Sequence, residues 1–114
     1  MNIIRIILSI IFLLSGGAKL ASLQFEILAF ERWGYPLWFM YFIGDVEVIG
    51  GICLLLNWLA ALASAGLAAM MVGALVTHIK FNEWGMLAVA TTILIMLVFF
   101  AVRNNQDIFK FFKK

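Results

Sequence analysis

The chain has 114 residues, 66% hydrophobic and 12% charged, with a formal net charge of +2 and one cysteine, Cys53. Soluble domains run near a quarter charged, and a chain this short buries only about 60–70% of its surface in one core; composition therefore excludes a water-soluble domain and makes the bilayer the solvent. The lone cysteine excludes an internal disulfide and CxxC thiol relay, and the small net charge gives nucleic acid no purchase.

A helical span needs roughly 20 apolar residues, so four spans use most of the chain and leave short connections. The first runs over residues 3–20. Its first half is apolar apart from Arg5 and Ser9, and it then turns small and polar through Ser15, Gly16, Gly17, Ala18 and Lys19. A cleaved signal peptide is one reading of that pattern. A retained helix, whose small residues allow close packing, is the reading adopted. Over residues 22–33, Leu23, Ile27, Phe30 and Trp33 recur at helical spacing, while Gln24, Glu26, Glu31 and Arg32 interrupt any span. Gly34 and Pro36 end the segment. This is expected to be a short amphipathic helix lying in the membrane interface.

The second span, residues 37–56, has Trp38 and Tyr41 at the headgroup level and carries Asp45 and Glu47. Asn57-Trp58 reads as a tight turn. The third span, residues 59–79, places Gly66, Ala69, Gly73 and Thr77 on one stripe, which suits close packing against a neighbour. His78 lies near its end, and Lys80, Asn82 and Glu83 make the next turn. The fourth span, residues 84–102, has no charge, and the tail RNNQDIFKFFKK alternates bases and phenylalanines as a membrane-surface segment does. The expected fold is all-α: one transmembrane domain over residues 1–114, a four-helix bundle with an interfacial helix between the first two spans.

Bases set the orientation. Arg5, Arg103, Lys110, Lys113 and Lys114 gather on one side; Lys19, Arg32 and Lys80 on the other are offset by Glu26, Glu31 and Glu83. The positive-inside rule places both termini in the cytoplasm of a cell (inner) membrane.

Charges inside spans cost several kcal/mol unless paired or hydrated, which makes each a functional candidate. Because helices alternate direction, Lys19, Asp45, Glu47 and His78 all fall in the outer half. Asp45 and Glu47 are roughly 200° apart around their helix and cannot face the same neighbour. Glu47, sharing a face with Gly50, Gly51 and Leu54, is expected to be the inward partner of Lys19 and His78. Asp45 is expected to pair with Arg32. Arg5, roughly 21 Å before Lys19 along the helix, belongs to the inner interface. The cluster reads either as a helix lock or as a site that binds a ligand or relays protons, because Glu47 is too deep to snorkel easily.

Other chemistries lack their residues. One histidine does not make a transmembrane b-type haem site. His78, Cys53 and two carboxylates have no recognised metal-ligand spacing. Gly16-Gly17 and Gly50-Gly51 sit in apolar surroundings rather than in a phosphate loop. Cys53, Met70 and Met71 read as core residues.

These residues also carry a family resemblance. RIILSIIFLLSGGAKL resembles the first helix of the DoxX-like membrane proteins, with its early Arg and small-residue stretch ending in Lys. WGYPLWFMYFIGDVEVIGGICLLL resembles their second segment, and His78 fits the end of the third. The resemblance covers residues 3–80. It implies a four-helix membrane bundle and carries Arg5, Lys19, Glu47 and His78 over as motif positions. Some family members are subunits of quinone-linked oxidoreductases acting on sulfur compounds, others are redox-stress membrane partners, and a distant branch resembles assembly chaperones.

Two functions follow as expectations. One is a membrane subunit or binding protein that holds a quinone-like or lipidic molecule, whose carbonyl accepts from Lys19 or His78 while Glu47 handles the proton. The other is a non-enzymatic assembly or interaction module, with a membrane-protein partner or a second copy. Whether the chain is itself an enzyme stays open at this stage. A proton-coupled transporter fits less well, because broken helices and inverted repeats are missing.

Overall fold

The computed structural model describes residues 2–56 and 59–103. The Asn57-Trp58 turn and the basic tail after Arg103 lie outside the described residues. Five helices follow one another: α1 (Asn2–Leu20), α2 (Gln24–Trp33), α3 (Leu37–Cys53), α4 (Ala60–Lys80) and α5 (Trp84–Arg103). Among the described residues there is no strand.

The helix breaks have local causes. Ser22 takes a left-handed conformation, φ 58°, and turns the chain from α1 into α2. Gly34, φ 80°, ends α2, and its N–H donates to the carbonyls of Phe30 and Glu31. That conformation costs glycine nothing. Pro36 then stands before the first turn of α3, where a missing N–H is harmless. Asn82, φ 57°, makes the turn between α4 and α5. The second span was expected to continue to residue 56, but the helix ends at Cys53 and Leu54 forms its cap.

α1, α4 and α5 are each long and apolar enough to cross a membrane. α2 and α3 meet at a bend of 118° and qualify only together, as one broken span. The chain therefore has three to four candidate spans. The molecule is 42 Å long, close to the full thickness of a bilayer with its headgroups, about 40–45 Å. Ile3, Leu14, Val76, Ile95 and Val102 are exposed on its flanks, where lipid would lie.

α1 packs chiefly on α3, and α4 on α5; α3–α4 and α1–α5 contacts join the two pairs, and α2 rests on α1 and α3. The α1–α3 crossing is tight. A Cβ added at Gly16 would lie 2.7 Å from the Gly44 carbonyl oxygen and 2.9 Å from the Val48 nitrogen. Only a glycine lets the two backbones approach this closely. Gly17 is different, with nothing within 4 Å of an added Cβ.

The interior is divided along its length. Leu8, Phe12, Leu54, Leu67, Met71, Ala90 and Leu97 pack into one buried cluster, mostly toward the end where α1 starts and α5 finishes. Two buried hydroxyls tie that end together. Ser9 donates to the Gly51 carbonyl at 2.7 Å, and Ser64 to the Leu97 carbonyl at 2.6 Å. The other end is hollow. The small-residue stripe on α4 was expected to pack against a neighbouring helix. Instead Gly66, Ala69 and Gly73 are exposed, and an added Cβ at Gly66 or Gly73 meets nothing within 4 Å. Small side chains permit close approach without compelling it, and here Ala69, Gly73 and Thr77 help to line a cavity.

Candidate functional site

The cavity has a volume of about 830 Å³, within the range of small-molecule sites. All five helices line it. α1 supplies Ser15 and Lys19; α2 supplies Phe25, Glu26, Ala29, Phe30, Arg32 and Trp33; α3 supplies Phe39, Ile43 and Glu47. The stripe Ala69–Gly73–Thr77 with His78 forms the α4 wall, and Gly85, Met86, Val89 and Ile93 the α5 wall. Tyr35, from the α2–α3 link, completes it.

Two polar clusters meet at this cavity. In the first, Lys19 Nζ lies 3.0 Å from Glu47 Oε1 and 3.6 Å from Glu26 Oε2. It also donates to Ser15 Oγ at 2.8 Å, and Ser15 donates onward to Glu47 Oε1 at 3.0 Å. Lys19 and Ser15 stand four residues apart on one face of α1, as the helical repeat requires. Both Lys19 and Glu47 are buried, so neither charge is carried by water.

The second cluster is built around Glu83, in the turn between α4 and α5. His78 Nδ1 lies 2.9 Å from its Oε1, and Trp33 Nε1 donates to the same oxygen at 2.9 Å. Arg32 grips the other oxygen, with Nε at 2.8 Å and Nη2 at 2.6 Å. Partial desolvation works to raise the Glu83 pKa. Hydrogen bonds from His78, Arg32 and Trp33, with the Arg32 charge, outweigh it and hold the carboxyl below the usual range. Trp33 also meets the His78 ring edge-on, centroids 5.7 Å apart. Next to it Tyr35 bonds Thr77 Oγ1 at 2.8 Å, and Thr77 donates back to the Gly73 carbonyl at 3.1 Å.

Two expected pairings are corrected. His78 does not bond Glu47; it bonds Glu83, because the left-handed turn at Asn82 brings residue 83 back under the end of α4. Arg32 does not pair with Asp45; it reaches the same turn, while Asp45 lies on the exposed face of α3, away from Glu47. Arg5 lies at the opposite end of α1 and is outside the cavity lining. Ser15, Glu26, Trp33, Tyr35, Thr77 and Glu83 join the site without having been singled out as site residues. Glu26 stands seven positions after Lys19 and Glu83 five after His78, each across one short turn whose course the spacing alone does not give.

Among the described residues no three His, Cys, Asp or Glu side chains converge as a metal would need. A family model described as the DoxX-like family matches residues 3–101. No curated protein and no solved structure matches the chain. The family match covers most of the sequence, and the chain belongs to the DoxX-like family; with its apolar helices it is a multi-pass membrane protein in a lipid bilayer.

Proposed function

We propose that this DoxX-like protein is a membrane subunit or binding protein of a quinone-linked redox or redox-stress system, and that it holds a quinone-like or lipidic molecule in the α1–α5 cavity. The observation that carries the reading is the cavity itself: about 830 Å³, walled by aromatic and aliphatic side chains, with Glu47 and His78 both on its lining. An apolar hollow with a few convergent polar groups is the usual form of a small-molecule site. Ion pairs that served only to lock helices would need no such hollow beside them.

In this reading α1, α3, α4 and α5 cross the bilayer as a four-helix bundle and α2 lies in the outer interface, roofing the cavity. Both termini lie in the cytoplasm, and the cell (inner) membrane is the location. α3 is short, at 17 residues, but that is within the range of spanning helices, about 17–25 residues. Native mass spectrometry of gently extracted protein tests the assignment. The expected result is a retained quinone or lipid; protein free of both, and of any mass adduct, would overturn it.

A second reading, a non-enzymatic assembly or interaction module, draws on Gly17 and Gly66. A Cβ added at either meets nothing within 4 Å among the described residues, as on a surface for a second copy or a membrane-protein partner. Recovery of a stable membrane partner without a bound small molecule favours it.

A further inference from the structure

Asp45 stands at the midpoint of α3, a helix of 17 residues from Leu37 to Cys53. It is exposed, and among the described residues it has no hydrogen-bond or ion-pair partner. Either end of α3 is roughly 12 Å away at 1.5 Å per residue. Long basic side chains can snorkel over such a distance, but the short aspartate side chain cannot. A carboxyl group on the lipid-facing surface midway along a span is costly, and ionisable groups at that depth almost always face protein or water.

A glycine accompanies it. Asp45 comes two residues before Glu47, and Gly17 two before Lys19. Two residues turn a helix by roughly 200°. Glu47 and Lys19 line the cavity, so Asp45 and Gly17 face away from it. They are also level with one another, because their chain neighbours make the α1–α3 crossing: a Cβ added at Gly44 would lie 3.1 Å from the Gly16 carbonyl oxygen. A Cβ added at Gly17 meets nothing within 4 Å among the described residues. The back of the crossing is therefore a saddle, with bare backbone on α1 and a carboxyl group on α3. Along α3, Trp38, Phe42, Asp45, Ile49 and Ile52 are all exposed and follow one another in steps of four and three. Helices that pack side by side seat their side chains at that spacing.

We infer that this face of α3 docks a transmembrane helix of another protein, and that the helix carries a lysine or arginine midway along the bilayer, set against Asp45. Charge complementarity decides the occupant. Lipid tails offer a carboxyl group nothing. A second copy seated on the same face about a two-fold axis sets Asp45 against Asp45. Nor does a second copy bring a cation to mid-span from its described residues: Arg5, Arg32, Lys80 and Arg103 lie in α2 or close to a helix end, and Lys19 and His78 are buried. Gly17 lets the incoming backbone come close, and one polar residue in an apolar seam fixes partner and register. The inference does not depend on what the cavity holds, because both residues face away from it.

The test uses synthetic leucine–alanine helices, each about 24 residues long to span the bilayer, that differ only in a central lysine or norleucine. The full chain, labelled at its amino terminus, is reconstituted with each helix in phosphatidylcholine vesicles, and association is read by energy transfer. The lysine helix is expected to associate about tenfold more tightly, in line with one polar interhelical contact in model peptides. Asp45→Leu is expected to abolish the difference, and Gly17→Leu to weaken binding of the lysine helix by filling the saddle. Equal association of the two helices with the unaltered chain would overturn the inference, and that comparison stands whether or not a variant folds. A lysine advantage that survives Asp45→Leu would overturn it as well. Self-association of the unaltered chain, lost in Asp45→Leu, would replace the foreign helix by a second copy.

Discussion

Lys19 Nζ lies 3.0 Å from Glu47 Oε1 in a buried site, and Glu26 reaches the same nitrogen from α2 at 3.6 Å. The two partners are therefore not equivalent. Removing the lysine leaves two carboxylates facing one another with no cation between them. Removing Glu47 leaves the lysine with Glu26 and Ser15.

The first prediction follows from that asymmetry. Lys19→Met is expected to destabilise the fold by about 3–5 kcal/mol, the usual cost of stranding one half of a buried ion pair. Glu47→Gln is expected to cost less, about 1–3 kcal/mol, because Glu26 and Ser15 still hold Lys19. Lys19→Met combined with Glu47→Leu is expected to recover part of the loss. Thermal unfolding of the four proteins in one detergent measures this. Equal losses in the two single variants would mean that Glu26 does not share the charge.

A second prediction concerns α2. Its far end is held by Arg32 and Trp33 on Glu83, so Glu83→Gln is expected to raise amide exchange along α2 while leaving α4 and α5 protected. The pH dependence has a definite sign. A carboxyl held below its ordinary value stabilises the folded state at every pH above that value, about 4.3 for glutamate. The contribution is lost only as pH falls through the lower folded-state value. Protection of the α2 amides, measured relative to their intrinsic exchange at each pH, should thus be constant from about pH 8 to pH 5 and fall below about pH 4, and Glu83→Gln should abolish the fall.

The approach of Lys19 to Glu47 can be read from the sequence because it depends on regular features. Each is a lone charge in an apolar run, the helices alternate in direction, and rotation of roughly 100° per residue separates Glu47 from Asp45. What that pair does is not written there. The Glu83 and Glu26 contacts were out of reach for a specific reason. Both follow turns set by left-handed, non-glycine residues, Asn82 and Ser22, and short runs of polar residues do not announce such turns. The α4 stripe failed differently. Gly66 and Gly73 fit either a close helix contact or an empty space, and only the positions of α1, α3 and α5 decide which.

Glycine positions on α1 give a third prediction. A Cβ at Gly16 would press on the Gly44 carbonyl at 2.7 Å and the Val48 nitrogen at 2.9 Å. Both are backbone atoms and cannot rotate away. Gly16→Ala is expected to cost about 1–3 kcal/mol through overpacking. Gly17→Ala, with nothing within 4 Å, is expected to be neutral or slightly stabilising, since alanine is the better helix former by up to about 1 kcal/mol. Unfolding of the two variants side by side separates the crossing point from helix propensity, and equal effects would place the α1–α3 contact elsewhere.

The last prediction turns on Gly73, where an added Cβ meets nothing within 4 Å although the residue lines the cavity. Gly73→Leu introduces a branched side chain at the cavity wall, where an added Cβ meets nothing within 4 Å among the described residues. It replaces the least favourable non-proline helix residue by one of the best, and its carbonyl still accepts from Thr77. Stability is therefore expected to hold or rise, in contrast to Gly16→Ala. If the hollow is a ligand site, the same substitution is expected to cut retention of a bound quinone or lipid in native mass spectra by tenfold or more, without touching Lys19, Glu47 or His78. A helix lock built only from ion pairs would be indifferent to Gly73. A stable Gly73→Leu protein that still carries its ligand at full occupancy would therefore place the binding site outside this cavity.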